Sequence, residues 1–322
     1  MAALTVLPLA SACSTADDDP LATIPAFALD TPAVEVVSAG QNPQLLQYTD
    51  AGDADSLSAA TPWETTVEVA TGVDQEVVDD NDTDTQAEAP LGGNANAVDT
   101  VTLPLSAASA IAAEPGEGES PAARDVELTV GEATHSDLSR NEELASAKDF
   151  LMRWRANEAG AISTLKLMAP GASEETARET VERTLLLLAS ANVVLPQEPV
   201  GVGGSWTVSN RVTGASNMLR TSTYTVTAID GDRVELDVAV VERPTQQSLQ
   251  IDNDIAGELD GTSLDVDTAS TTSEGSVTLD LAHPLPVAGK IASTTRLIYS
   301  GDNGAGAKVV QDVTEAITYG AE

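Results

Sequence analysis

The stretch Leu195 to Val241, LPQEPVGVGGSWTVSNRVTGASNMLRTSTYTVTAIDGDRVELDVAVV, decides the fold that the sequence predicts. Two prolines and three glycines near its start disfavour a helix and predict an extended, sharply turning entry before Trp206 begins a strand. From Ser222 the residues alternate between two faces until the Asp-Gly pair at Asp230 turns the chain. The return strand alternates again, with its valines and one leucine facing inward. The pattern therefore predicts a β-hairpin with one buried face.

Composition limits both the partners and the core. The 322-residue chain carries 51 acidic and 15 basic residues, and its first base is Arg124. A net charge of −36 repels phosphate backbones, so we predict no nucleic-acid partner; the acidic excess suits solubility or a cation-rich environment outside the cell. Aromatic residues make up only 3 % of the chain, so its core must consist mainly of Val, Leu, Ile, Ala and Thr. The β-branched residues among them favour strands.

One helix stands out among the strands. Ser173 is a suitable helix cap, and the apolar stripe that follows it predicts an amphipathic helix over about residues 173–192. Elsewhere, short alternating runs, among them residues 45–48, predict about ten to twelve short strands in all. Residues 252–272 look mainly like loop, with one candidate short strand at Ser263 to Val266. The predicted class is α+β, mainly antiparallel β, with the helix packed on the sheet. The stripe consists of Ala177, Val181, Leu185 and Leu188.

The chain divides into three parts by composition. Residues 1–13 are apolar and end in small residues before a cysteine, residues 14–32 form an acidic, proline-containing tether, and residues 33–319 form a β-rich domain. The runs VTLPL at 101–105 and SVTLDL at 276–281 are similar. The domain therefore has one unit, or two similar β units over about residues 33–135 and 145–319.

The amino terminus predicts a membrane attachment. Residues 9–13, LASAC, resemble the lipobox of bacterial lipoproteins, although Ala10 stands where leucine is usual and no positive charge precedes the apolar run. This resemblance implies that Cys13 is acylated and holds the protein at a membrane from outside the cytoplasm. The alternatives are a trimmed leader, which makes the protein a secreted one, or an ordinary free thiol. No later segment has ~18 consecutive apolar residues, the length that a membrane-spanning helix needs.

A wider resemblance covers about Ala33 to Tyr319. The run LPQEPVGVGGSWTV, the TYTV strand, the IDGD turn and the later run DLAHPLP resemble a family of uncharacterised bacterial lipoproteins. This family, a domain of unknown function, occurs chiefly in high-GC Gram-positive bacteria. The resemblance implies a location in the cell envelope and lipid attachment, and it implies no activity.

Residues that could carry chemistry are few. The two histidines, His135 and His283, each stand in an ordinary loop or strand-exit context, and no G-x-S-x-G elbow is present. The aspartates at 80, 82 and 84 begin like a calcium loop, but the glycine and the final acid of such a loop are missing; those at 252 and 254 resemble it less. We therefore predict no catalytic residue, no metal site and no cofactor, and a protein that is not an enzyme.

Two kinds of function remain open on the sequence. One is the binding of an apolar small molecule, as in a lipid or glycolipid carrier. The other is the role of an envelope interaction protein without a ligand. A carrier requires a cavity of at least a few hundred cubic ångströms between the sheet and the helix. Leu185, Leu188 and Trp206 are the candidate residues for an apolar pocket, although ordinary core packing is the simpler explanation for them.

Overall fold

A computed structural model describes residues 19–79, 88–212, 218–245, 248–250, 263–301 and 307–321. In this part of the chain there are seventeen β-strands and two α-helices, and every strand pairing is antiparallel. The predicted class is confirmed. The helices are α1, Asn141–Leu144, and α2, Glu175–Ser190. The strands are β1 Phe27–Ala28, β2 Ala33–Ser38, β3 Gln41–Gln44, β4 Trp63–Asp79, β5 Val98–Ile111, β6 Arg124–Val130, β7 Thr134–His135, β8 Leu151–Ala156, β9 Ile162–Met168, β10 Val200–Val202, β11 Ser205–Val212, β12 Met218–Asp230, β13 Arg233–Pro244, β14 Ser248–Gln250, β15 Ser263–Asp280, β16 Ala288–Gly301 and β17 Ala307–Tyr319.

Fifteen of these strands form one sheet. Its order from edge to edge is β1-β9-β8-β6-β5-β4-β17-β16-β15-β13-β12-β11-β2, with β14 added to β15 and β7 to β5. Strands β3 and β10 form a separate two-stranded sheet. Strand β4 pairs from Val67 to Asp79 with β17, the last strand in the sequence. The large sheet therefore runs without a break through both of the predicted units, 33–135 and 145–319.

The hairpin predicted from the quoted stretch is formed by β12 and β13. Its turn residues are Gly231 and Asp232, one position later than predicted, and Gly231 has a φ of 59°, which glycine adopts without steric cost. Gly201 is required for a different reason: a Cβ there would lie 1.9 Å from the Gln41 carbonyl oxygen, so only glycine allows β10 to approach β3 this closely. The inward residues of the return strand are all buried, as predicted: Val234, Leu236, Val238 and Val240.

The predicted helix is confirmed, but its cap is not the predicted one. Helix α2 buries the whole predicted stripe and contacts β11 and β4. Its N-cap position is Glu174, and the Ser173 side chain makes no capping hydrogen bond. Instead, the Ser146 hydroxyl oxygen accepts a hydrogen bond from the Glu174 backbone N–H at 2.9 Å. A residue distant in sequence thus satisfies a backbone donor at the helix start.

Several strands are longer than predicted because threonine and serine continue them beyond the apolar runs. Strand β15 begins at Ser263, where the sequence offers a candidate short strand, and it continues through residues 267–272, which the sequence predicts as loop. Thr271 and Thr272 of β15 lie opposite threonines of β16, an arrangement that suits β-branched residues. The reverse error occurs at residues 45–48, where the predicted strand is absent. This segment buries Leu46 and Tyr48 without any strand pairing.

The described part of the predicted acidic tether is docked on the sheet. The Asp19 carboxylate accepts two hydrogen bonds from Arg153, at 2.7 and 2.9 Å, and Leu21 is fully buried. Strand β1 then pairs with β9, and β2 pairs with β11, near the opposite end of the sheet. Residues 27–38, the crossing segment, therefore join the two ends of the sheet. The sheet must curl for this to occur. Residues 14–18 lie outside the described part.

The main apolar core lies between α2 and the sheet. It includes residues from Leu46 to Tyr319, and Trp154 and Trp206 are its largest buried side chains. A smaller apolar cluster involves β12 and the far ends of β15, β16 and β17. Because the main core draws residues from both predicted units, the helix and both units contribute to one packed interior.

Beside the main core lies a buried ionic cluster formed by Arg220, Glu242 and Glu315. The Arg220 guanidinium contacts both carboxylates, and its distance to Glu242 is 2.6 Å. The other Glu242 oxygen accepts a hydrogen bond from the Thr295 hydroxyl at 2.9 Å. The two carboxylates raise the pKa of Arg220 further above its ordinary value, although burial opposes this. The cluster is thus internally paired, which is the condition for burying charge in a protein.

Candidate functional site

A cavity of about 590 Å³ lies between α2, the crossing segment and both ends of the curled sheet. Strands β1 and β9 contribute one side, β11 and β12 contribute the other, and α2 lies along it. Most of the lining residues are apolar. Because β9 and β11 are far apart in the strand order, the cavity exists only through the curl of the sheet. Its apolar wall includes Phe27, Leu165, Leu186, Val208, Met218 and Tyr224.

The predicted pocket residues lie next to this cavity and do not line it. Leu185, Leu188 and Trp206 are 0 %, 1 % and 0 % exposed and belong to the main core. The wall is formed instead by Leu186, one position further round the helix, and by Val208, two positions further along the same strand face. The sequence indicated that this part of the helix contacts more than one region, because LLLL at 185–188 is apolar on all sides of the helix.

The rim of the cavity carries exposed apolar side chains together with two exposed charged ones, Asp30 and Arg211. Phe27, Leu29 and Leu186 all line it, and they are 57 %, 38 % and 37 % exposed. Two of these residues belong to the crossing segment. Large apolar side chains that face water at the mouth of an apolar cavity are typical of an entry route for an apolar ligand.

Three buried residues of the wall, Asn192, Ser222 and Tyr224, carry polar groups. Asn192, which is 8 % exposed, donates a hydrogen bond from Nδ2 to the Gly160 carbonyl at 2.7 Å. Its Oδ1 is buried and accepts no hydrogen bond from the described residues. Burial raises the pKa of Tyr224, while a hydrogen bond with Ser222 and the nearby Arg220 charge oppose that shift. Both hydroxyl side chains line the cavity.

Charged side chains on the wall largely balance. Asp30, Glu182 and Arg211 line the cavity. Glu182 forms an ion pair with Arg178, at 3.2 Å, on the surface of α2. The other two charged residues, Asp30 and Arg211, carry opposite charges, so the wall has no strong net charge of its own. In a chain with a formal charge of −36, this is a nearly neutral site.

The two histidines lie away from the cavity wall. The His135 Nδ1 accepts a hydrogen bond from the Asp137 backbone N–H at 2.9 Å, and Arg140 lies 2.8 Å from its Nε2. His283 lies 3.4 Å from the Asp280 carboxylate, and its ring packs on that of Trp63. Within the described ranges, no group of three or more His, Cys, Asp or Glu side chains is arranged to hold a metal ion.

Several predicted residues fall outside the described part of the chain. These are Cys13, the aspartates at 80, 82 and 84, and those at 252 and 254. The predicted acylation site is therefore supported by sequence alone. Of the helices in the described residues, none has the length and apolar character needed to cross a bilayer.

Comparison with known proteins does not assign the chain to a family. No family model and no curated protein matches this chain. One solved structure, the binding domain of botulinum neurotoxin DC in complex with rat synaptotagmin II, aligns over 90 % of each chain with 8 % identity and a TM-score of 0.09. That score does not indicate a shared fold, so this likeness carries no argument. The resemblance to uncharacterised lipoproteins stays a prediction.

Proposed function

We propose that the protein is a non-enzymatic binding protein of the cell envelope that holds one apolar small molecule in the cavity beside α2. The cavity is the observation that carries this proposal. Its volume of about 590 Å³ lies within the range of roughly 300–1,000 Å³ common for small-molecule sites. Each methylene of a ligand buried there contributes about 0.8 kcal/mol, so an alkyl chain is a suitable occupant.

The envelope location rests on the amino-terminal sequence. Acylation of Cys13 would anchor the protein on the outer face of a membrane, and without acylation the protein would be secreted. Intact-mass measurement of protein purified from its native membranes tests this part separately. We expect an acylated chain that begins at Cys13. An unmodified mature terminus at another residue would contradict the anchor.

Lipid carriage is the form of binding that the rim favours. A carrier must exchange its ligand with a membrane, and the exposed Phe27, Leu29 and Leu186 offer an apolar surface across which a chain can pass. A membrane anchor would keep this rim close to a source of lipid. An envelope interaction protein without a ligand is the alternative, and it has no need of an apolar cavity.

The binding proposal can be tested by filling the cavity with a larger side chain. The uncharged fluorescent probe N-phenyl-1-naphthylamine should bind the purified full chain at a single saturable site. Ala189 lines the cavity, so Ala189→Phe should weaken binding at least about tenfold by occupying the volume. Glu179→Phe adds the same ring on the exposed face of the same helix and should leave binding unchanged.

Circular dichroism of both variants tests whether the fold is retained. If the wild-type chain shows no saturable binding of the probe, the cavity is not a ligand site and the interaction role is favoured. Equal binding by Ala189→Phe and the wild type would place the probe elsewhere on the surface and would also contradict the proposal.

A further inference from the structure

We infer that the ligand is a neutral, single-chain amphiphile whose head group donates a hydrogen bond to Oδ1 of Asn192. The inference rests on the proposed function and specifies its ligand class. A long-chain alcohol, a monoacylglycerol and a singly acylated glycolipid share the required chemistry, namely a hydroxyl group on an apolar chain.

The unpaired oxygen of Asn192 carries the inference. The side chain lines the cavity, is 8 % exposed, and its Oδ1 has no hydrogen-bond donor among the described residues. The orientation of the amide is set by Nδ2, which donates to the Gly160 carbonyl at 2.7 Å; a flipped amide would bring two oxygens together there. Buried acceptors in proteins are nearly always paired, so a donor from the cavity would complete this site.

The neighbouring amide has the same arrangement. Asn210 lines the cavity and donates a hydrogen bond from Nδ2 to the Ser190 carbonyl at 2.9 Å. Each asparagine on the wall therefore uses its amide nitrogen for the protein backbone and keeps its amide oxygen as an acceptor. A head group that donates hydrogen bonds fits this wall better than a head group that only accepts them.

The charges around the site favour a neutral head group. Arg220 is next to Ser222 on the inner face of β12, but Glu242 and Glu315 already bind it. The ionic cluster contains two acids and one base, so it repels a carboxylate or a phosphate on the ligand. Asp30 and Arg211 on the wall carry opposite charges, so they do not offset this repulsion. An anionic lipid would therefore bind more weakly than a neutral one of the same chain length.

The helix orients the ligand. Leu186 is at the exposed rim, whereas Asn192 is buried just beyond the last residue of α2. At about 1.5 Å per residue, the lining stretch of α2 from Glu182 to Ser190 is roughly 12 Å long. This geometry points the head group inward, toward Asn192, and the alkyl chain outward along α2 to the rim.

A matched ligand pair tests this inference without any variant. In displacement of N-phenyl-1-naphthylamine from the wild-type chain, 1-dodecanol should bind about five- to tenfold more tightly than dodecyl methyl ether, which has the same chain and no donor. Dodecanoate should bind more weakly than the alcohol. Binding of the alcohol and the ether with equal affinity would overturn the inference and leave the proposed function intact. If no member of the series displaces the probe, the proposed lipid binding itself fails.

Two variants test which residue accepts the hydrogen bond of the ligand head group. Asn192→Ala should reduce the preference for the alcohol to about one while the ether keeps its affinity. Ser222→Ala, on the opposite wall, should keep the preference. Loss of the preference in Ser222→Ala alone would assign the head group to the other side of the cavity and overturn the assignment to Asn192. Should Asn192→Ala fail to fold because it loses the bond to Gly160, the wild-type ligand series still decides.

Discussion

Strand β12 faces two different interiors within a few residues. At Arg220 its inner face meets an ionic cluster, in which a guanidinium is bound by two carboxylates and one of these also binds Thr295. At Ser222 and Tyr224 the same face meets a largely apolar cavity, where a buried acceptor on the facing wall has no protein partner. In the first region the protein itself pairs the charged groups, whereas in the second region one buried oxygen has no partner among the described residues. The two regions therefore differ in whether the protein itself pairs their buried polar atoms.

The ionic cluster should give the largest stability effect. Arg220→Met leaves the buried Glu242 and the partly buried Glu315 without their cation, so the free energy of unfolding should fall by about 3–5 kcal/mol. Urea denaturation of the purified chain measures this. The control is Arg233→Met, whose side chain is 54 % exposed beside Glu235 and should contribute only ~0–1 kcal/mol. Similar losses in the two variants would show that the cluster is not a structural requirement.

Adjacent leucines on α2 should separate core from cavity wall. Leu185→Ala removes a fully buried core side chain and should lower the free energy of unfolding by about 2–5 kcal/mol. Leu186→Ala removes a partly exposed side chain at the rim, so its cost should be under about 1 kcal/mol. It should instead weaken binding of N-phenyl-1-naphthylamine. The reverse outcome, in which Leu185→Ala mainly weakens binding, would show that Leu185 lines a pocket, as the sequence predicts.

The four tyrosines should reveal how the protein interior responds to alkaline pH. Burial raises the pKa of each one above 10.0, the ordinary value. A folded-state pKa above the unfolded value means that this stabilisation is fully present below pH 10.0 and is lost as the pH rises toward the folded-state pKa. The tyrosines are Tyr48, Tyr224, Tyr299 and Tyr319.

Ultraviolet absorbance of tyrosinate checks this prediction. The signal should stay low through pH 10.0 and rise only together with unfolding, which circular dichroism follows. The chain in concentrated urea should titrate near pH 10.0 and is the control. Ionisation near that value in the folded chain would mean that the tyrosines are accessible to solvent.

The smallest effect should come from the start of α2, the helix that covers the cavity. Ser146→Ala removes the hydroxyl that accepts the Glu174 backbone N–H, and it should cost about 1 kcal/mol. Ser173→Ala removes the predicted cap, which makes no capping hydrogen bond, and should cost less than half as much. Thermal unfolding of the two variants compares them, and a larger loss for Ser173→Ala would favour the cap that the sequence predicts.

Local patterns account for the parts of the fold that sequence reasoning identified. Alternation along 222–240 predicts the hairpin, and the apolar stripe of α2 predicts the buried side of that helix. Residues 267–272 were misassigned because their polar side chains resemble a loop, while their strand is formed by pairing with β16. Asn192 carries no local mark at all. Its importance arises from Gly160 and from the cavity, both distant in sequence.

The amino-acid sequence by itself determined an acidic surface, an antiparallel β class, a hairpin and one amphipathic helix, because side-chain period and charge are local properties of the chain. The tertiary structure alone decided that β9 and β11 lie on opposite sides of one cavity, since period two shows which face of a strand is buried and not which strands become neighbours. The pairing of Ala28 with Thr164 and of Val36 with Trp206 joins residues far apart in sequence and brings the sheet ends together. The candidate binding site is a product of that closure.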